Sequence, residues 1–470
     1  MLASLFQEDE TSSRARALTV WLLAAALLAG YLWVPNEKGS NDNYAHCLTA
    51  LSLARGEWGR LDDLREYWSS PELGLRATVI ETPDGHVVGG TGIGAALALA
   101  PFYVLANLAG AGSILMLSPA FNHPIAALWS VVGVVAFYLT CRRLVARRPA
   151  AFATLTVALG SSVLSVLSRE PWQHTFLVAL QCVALWLVLK PDATGPRGAL
   201  AAGLLLGWGG LVRATGFLYV VAWAWLVRRA GRDRLRPFLI GVLPGLLATL
   251  AYNWWTFGRP WLFGQLIIGR VRFGYEASHA VPFNPLTALA GLLVSPGRGL
   301  FVFSPVLLWA LLVLAAVAVG RRGADAGDGR VGSAPWPFWL APALAIIAVN
   351  LASAATWKEW AGGWTYGPRY LSDTIPSWGL VVAAAAARAG LGRGVVHRGL
   401  AILAWPLLAV SIAFHAAGLL VSPYRPDAYS ARIDPDHHPE RLWRWRDFPP
   451  LDNLRLWIED RAEGGRTKTP

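Results

Sequence analysis

The sequence predicts an all-α polytopic membrane protein of about eleven transmembrane helices, and three observations carry that expectation. Hydrophobic residues make up 55% of the chain and charged residues only 15%, with a mean hydropathy of +0.42. A soluble domain carries about 25% charged residues. Apolar segments of span length recur between short Arg clusters, and many of the 24 Trp residues sit at their ends, where an indole suits the membrane interface.

The net charge of +12 is an orientation signal more than a nucleic-acid footprint, because the cations sit in short separate clusters and not in one stripe. Cys47, Cys141 and Cys182 are odd in number and far apart, so neither a disulfide framework nor a metal knot follows. The first apolar segment, 17–35, lacks a small-residue cleavage site and reads as a retained signal-anchor helix.

Basic clusters orient the spans. They are Arg14/Arg16, Arg142/Arg143/Arg147/Arg148, Lys190/Arg197, Arg228 to Arg236, Arg321/Arg322/Arg330, and Arg388/Arg393/Arg398. With all of them cytoplasmic, spans fall at 17–35, 122–140, 149–167, 174–190, 198–212, 214–227, 238–256, 300–319, 336–355, 376–390 and 399–421. The N-terminus is then inside and the C-terminus outside. The pair at 198–227 reads as a short hairpin with Arg213 at its outer tip. Only one crossing is allowed between Asp42 outside and Arg142 inside. Segment 91–109 is therefore expected to lie on the outer surface or re-enter, helped by its early glycines and Pro101. Segment 290–298 is expected to be a similar outer-surface element. The domain reading is a transmembrane unit, 1–421, whose first outer loop, 36–121, holds juxtamembrane helices, followed by a polar outer-face segment, 422–470.

Polar chemistry collects on the outer face. Of 29 carboxylates, nine lie in the first outer loop, and no expected span holds one in its interior. An ion-coupled carrier keeps such groups near the midplane, so coupling to protons or sodium is disfavoured. Outer connections bring Arg169, His174, Arg213, Arg259, Arg298, Lys358 and Arg369 to the same face. Arg forks bind phosphate at two points, and neighbouring Trp and Tyr suit stacking on a sugar ring or an isoprenoid chain. The combination fits a sugar attached to a lipid phosphate. Each residue also has a plainer role open to it. Arg213 can cap a hairpin, and Trp357, Trp360 and Trp364 can be belt residues. His174 can simply start a helix. Gly362, Gly363 and Gly367 can serve as turn glycines, and Asp42 and Asn43 can cap the helix expected at 44–54.

These blocks resemble polytopic glycosyltransferases of the C-type fold, in particular bacterial family 39 relatives of protein O-mannosyltransferases and of the aminoarabinose transferase acting on lipid A. NDNYAHCLTALSLARGEWGRL is similar to the family's Asp-Glu, Tyr, Ala, Gly pattern, with Asn43 where a second acid is frequent. SREPWQH, GLVRATG, YNWWTFGRP, GLLVSPGRGLFVFSP and GGWTYGPRYLSD look like its outer-loop blocks. A Lys-Pro-Pro-Gly or Tyr-Pro-Pro-Gly segment is replaced by GGTGIG at 89–94. The resemblance implies a multi-pass protein of the bacterial inner membrane. Its implied activity is transfer of a sugar from a polyprenyl phosphate to a glycan, lipid or protein acceptor on the outer face. Asp42 would be the catalytic base, and Arg369, Arg298, Arg213, Lys358 and His174 would hold the donor phosphate. Tyr366, Trp364 and Trp172 would contact sugar or lipid.

No cofactor is assigned; a divalent cation stays open, with no metal ligand named. His437 and His438 with Asp434 and Asp436 are a weaker metal reading beside that of a solvated loop. The alternative functions are an O-antigen ligase or polymerase-like enzyme and a non-enzymatic flippase for lipid-linked sugars.

Overall fold

Two glycine-bearing helices meet backbone to backbone and fix the middle of the bundle. In Gly195–Val212 and Leu235–Phe257, a Cβ on Gly203 would lie 2.1 Å from the Phe238 carbonyl oxygen, and one on Gly245 would lie 2.1 Å from the Gly207 carbonyl carbon. The glycine pairs at spacing four leave room for this approach, the usual device where helices pack in lipid without a hydrophobic driving force.

The computed structural model describes residues 13–36, 39–69, 78–189, 195–273, 284–325, 336–357, 359–389, 395–435 and 438–466. The fold is mostly helical. Its longer helices are α1 (Ser13–Leu32), α2 (Asn41–Arg55), α3 (Ile93–Leu108), α4 (Pro119–Leu144), α5 (Arg147–Ala158), α6 (Gln173–Val188), α7 (Gly195–Val212) and α8 (Val220–Ala230). They continue as α9 (Leu235–Phe257), α10 (Pro305–Asp325), α11 (Leu340–Ala355), α12 (Ile375–Arg388), α13 (Val395–Leu420) and α14 (Pro449–Arg466).

Among the described residues, three stretches are long and apolar enough to cross a membrane: Pro119–Leu144, Arg232–Phe257 and Arg398–Leu420. Six shorter apolar helices accompany them, including Ala17–Leu32, Gln173–Val188 and Leu340–Ala355. Large apolar side chains point outward, such as Leu239, Ile240, Leu243 and Leu247 on α9 and Ile402, Leu403 and Trp405 on α13. A water-facing surface does not carry such a continuous apolar face, whereas a lipid-facing one requires it. The molecule is a multi-pass membrane protein.

Several expected spans are broken where the sequence places small or constrained residues. The 149–167 stretch is α5 followed by a turn at Leu159–Ser162 and one π-helical turn, Val163–Leu167. Ser304 separates the short helix Leu300–Phe303 from α10, which Pro305 starts. Arg213 sits at the junction between α7 and the 3₁₀ turn Ala214–Tyr219, with extended backbone, as a hairpin tip demands.

Segment 36–121, expected to hold juxtamembrane helices, also contains a β-hairpin. Val79–Glu81 and Val87–Gly89 pair antiparallel around the Thr-Pro-Asp-Gly turn, with Ile80 opposite Val88. β-branched residues flanking a Gly at φ +84° make this a hairpin.

The excursion from 33 to 118 begins and ends at one level of the bundle. Tyr31, in the last turn of α1, offers its carbonyl to His123 Nε2 in the first turns of α4 at 3.1 Å. Between them α2, the hairpin and α3 pack together, with α3 lying on α2 and α7.

Candidate active site

Helix α2 begins at a built cap. The Ser40 hydroxyl accepts from the Asp42 backbone N–H at 3.2 Å, and Gly56 at φ +83° ends the helix. Asp42 thus occupies the first turn, where a carboxylate meets the positive end of the helix dipole. Behind the cap sits Glu170 of the SREPWQH block. Its Oε2 accepts from the Ser40 N–H at 2.8 Å and from the Asn43 amide. Arg169 donates to the Val34 and Pro35 carbonyls, and Asn36 donates to the Arg169 carbonyl. The chain leaving α1 is therefore clamped to this loop, and Asp42 is held at a fixed place. Burial pushes the Glu170 carboxyl up to about 7, against the pull of the Ser40 and Asn43 hydrogen bonds.

Across from Asp42 lies Arg369. Its Nη1 is 3.2 Å from Asp42 Oδ2. Gly362, Gly363 and Gly367, all at positive φ between +64° and +76°, shape the tight loop that delivers it. The guanidinium lies 4.3 Å from the ring centre of Trp172 and 5.2 Å from that of Tyr370. Such desolvated stacking contributes about 2 kcal/mol and holds the fork in one plane. Arg369 is buried, and its Nε has no hydrogen-bond partner among the described residues. The Asp42 side chain is 42% exposed and so is open to a ligand.

A second cation is set by a buried acid. Asp373, fully buried, accepts from His174 Nδ1 at 2.7 Å and lies 3.2 Å from Arg213 Nε. The Arg213 Nε hydrogen points at Thr215 Oγ1, 2.9 Å away, and Arg213 Nη1 lies 3.2 Å from His174 Nε2. With Nδ1 donating to Asp373, His174 Nε2 is left to accept from Arg213. Burial raises the Asp373 carboxyl, but His174 and Arg213 outweigh it and hold it below the ordinary carboxylate range.

Asp42, Arg369, Arg213, His174, Trp172 and Trp364 all line one cavity of about 380 Å³, together with His46, Thr91, Asn350, Glu359, Tyr370 and Tyr424. Among the described residues, Asp42 and Glu359 are its two acids, and no group of three His, Cys, Asp or Glu gathers anywhere to hold a metal ion. No residue is assigned to a divalent cation.

Two candidates from the sequence, Arg298 and Tyr366, stand outside the cavity. Arg298 does not line the cavity; its guanidinium donates to the carbonyls of Ala361 (2.6 Å), Gly297 (2.9 Å) and Gly363 (2.8 Å). It braces the loop that presents Arg369. Tyr366 is turned away as well, its hydroxyl donating to the Phe414 carbonyl at 2.5 Å. His174 lines the cavity, but its two nitrogens are engaged by Asp373 and Arg213, so it positions a cation and does not supply one. Lys358 lies outside the described residues, as do His437 and Asp436. Of the remaining weak metal candidates, Asp434 Oδ1 lies 3.5 Å from Trp364 Nε1 and His438 Nδ1 lies 3.4 Å from Glu440.

Residues 123–255 match the family model of the dolichyl-phosphate-mannose-protein mannosyltransferases. The resemblance to protein mannosyltransferases is shown over this stretch. The mannosyltransferase-like segment runs from α4 to α9 and carries Glu170, Trp172, His174 and Arg213, while Asp42 and Arg369 lie outside it. None of the curated proteins matches the chain. A solved structure of the Archaeoglobus fulgidus oligosaccharyltransferase, tethered with an acceptor peptide, is similar at a TM-score of 0.49 and 13% identity. The match covers 86% of this chain and 55% of that one, so the chain spans about half the length of that protein.

Proposed function

We propose that the protein transfers a sugar from a polyprenyl-phosphate donor to an acceptor hydroxyl at the outer face of the membrane. The observation that carries this reading is the half-exposed Asp42 facing a buried Arg369 whose Nε is unpartnered in the same cavity. A carboxylate beside a second cation, Arg213, suits chemistry in which a proton is removed on one side and a phosphate departs on the other.

Asp42 takes the proton of the acceptor hydroxyl as that oxygen attacks the anomeric carbon. The new bond to the acceptor oxygen forms as the bond from carbon to phosphate oxygen breaks, with inversion. The electron pair leaves with the polyprenyl phosphate, and Arg369 and Arg213 stabilise its growing negative charge. In the donor-free state Asp42 neutralises Arg369; donor phosphate takes over that role and frees the carboxylate to act as a base. Trp172 and Trp364 offer apolar faces to the sugar or the first isoprene units. The outer-face orientation rests on the charge rule and on the sharing of one face by these loops.

Purified protein incubated with a panel of polyprenyl-phosphate sugars, and followed by release of free polyprenyl phosphate, tests the reading. Release from at least one donor in the presence of membrane extract as acceptor source supports transfer. Movement of intact donor across proteoliposomes without release supports a flippase and refutes it.

A further inference from the structure

The cavity has a part that the proposed chemistry leaves unused. His46 stands one turn after Asp42 on α2, lines the same cavity and holds its Nδ1 2.9 Å from Thr91 Oγ1. Thr91 belongs to the GGTGIG segment at 89–94. Asn350, on α11, donates from Nδ2 to the Tyr219 hydroxyl at 2.7 Å, while its Oδ1 is buried with no hydrogen-bond partner among the described residues. Leaving such an acceptor unpaired costs about 1–3 kcal/mol unless a ligand fills the gap. Asn350 is 3% exposed and His46 1%, so both are fixed by packing before any ligand arrives.

All three groups are neutral hydrogen-bonding side chains. Burial pushes the His46 imidazole down to about 4, with Asp42 acting in the opposite sense, so it carries no charge near neutrality. A neutral imidazole bound through Nδ1 offers Nε2 as one further donor or acceptor. The cavity therefore combines two cations with a set of uncharged groups suited to hydroxyls. At about 380 Å³ it lies near the lower end of small-molecule sites, which run from roughly 300 to 1,000 Å³. That is room for a single sugar unit and its phosphate.

We propose that His46, Thr91 and Asn350 form the hydroxyl-recognition subsite for the donor's monosaccharide and set which sugar is accepted. This rests on the donor-phosphate reading of the same cavity. A site built to hydrogen-bond a hydroxyl rejects the epimer that leaves its buried groups unpaired, so discrimination is carried by these residues and not by the Arg pair.

Affinity measured by thermal stabilisation of the purified protein separates the two ideas. The probes are undecaprenyl phosphate and its esters with mannose, glucose, galactose and arabinose. At least one ester is expected to bind the unaltered protein about 10-fold more tightly than undecaprenyl phosphate. His46→Ala and Asn350→Ala should each reduce that preference to about 3-fold or less and leave undecaprenyl phosphate affinity as it was. Thr91→Val, the milder change, should act in the same direction and serves if a larger truncation fails to fold. Retention of the preference in these variants overturns the subsite, as does an unaltered protein that prefers no ester. A parallel loss of affinity for undecaprenyl phosphate also overturns it, because that marks a structural role. No binding of undecaprenyl phosphate to the unaltered protein overturns the phosphate reading first, and the subsite with it.

Discussion

Arg369 Nη1 lies 3.2 Å from Asp42 Oδ2, a pairing between residues 327 apart in the chain. The pair joins the first turn of α2 to the glycine-rich loop before α12, and it closes the site across the bundle. A guanidinium packed against Trp172 and Tyr370 has lost most of its rotamer freedom, which suits the proposed hold on a phosphate.

Arg369→Lys keeps the charge and removes the planar fork. Donor affinity is expected to fall about 10-fold, and about 100-fold in Arg369→Ala, because a phosphate bound at two points loses one or both. Titration with undecaprenyl phosphate checks the order of the two effects. Equal affinity in both variants contradicts the two-point contact.

Arg298→Ala should behave differently. Three carbonyls lose their donor inside the protein, and the expected cost is about 3 kcal/mol of stability. A lower midpoint of thermal unfolding checks this. Arg369→Ala also gives up stacking of about 2 kcal/mol, so the two arginines separate by donor affinity, which Arg369→Ala should lower the more.

Asp373→Asn removes the charge that orients Arg213 and fixes the His174 tautomer. The expected result is a kcat/KM for the donor lowered about 10-fold, since Asp373 acts through Arg213, which the proposal places on the donor phosphate and its growing charge. An unchanged kcat/KM contradicts this positioning role.

Glu170 gives the fold a pH dependence with a definite sign. Its folded-state pKa is raised from 4.5 to about 7, chiefly by burial. A carboxyl shifted upward contributes stability below its unfolded value, and that contribution is lost as pH rises through about 7. The shift corresponds to about 3 kcal/mol across the window. Unfolding midpoints recorded from pH 4.5 to 7.5 should therefore fall in the unaltered protein relative to Glu170→Gln, whose own curve carries the other titrating groups such as His46. Parallel curves contradict the assignment.

That these residues share one cavity was legible because the charge rule groups the loops expected at one face before any contact is known, and Asp42, Arg213, Trp172, Trp364 and Arg369 line one cavity. Charge cannot tell whether a guanidinium meets solvent or carbonyls, and Arg298 meets those of Ala361, Gly297 and Gly363. Tyr366 was misplaced for a related reason: residues within one glycine-rich loop alternate between cavity and core, and spacing does not say which way each points. Glu170 was visible as an outer carboxylate, but its partner Asn43 lies 127 residues away and left no trace in local pattern. His46 and Asn350 are single polar residues among apolar neighbours, a weak signal in any membrane chain. The number of crossings is harder still, because helices such as α6 and α11 are short for the roughly 20 residues a span needs.

The base assignment is tested most directly by Asp42→Asn, assayed for sugar transfer and for donor binding in the same preparation. An amide keeps the cap geometry and size but cannot take a proton. Transfer should fall by about 1,000-fold or more, while undecaprenyl-phosphate affinity is retained or improved because Arg369 loses its competing carboxylate. Turnover within about 10-fold of the unaltered protein, with binding intact, contradicts Asp42 as the base.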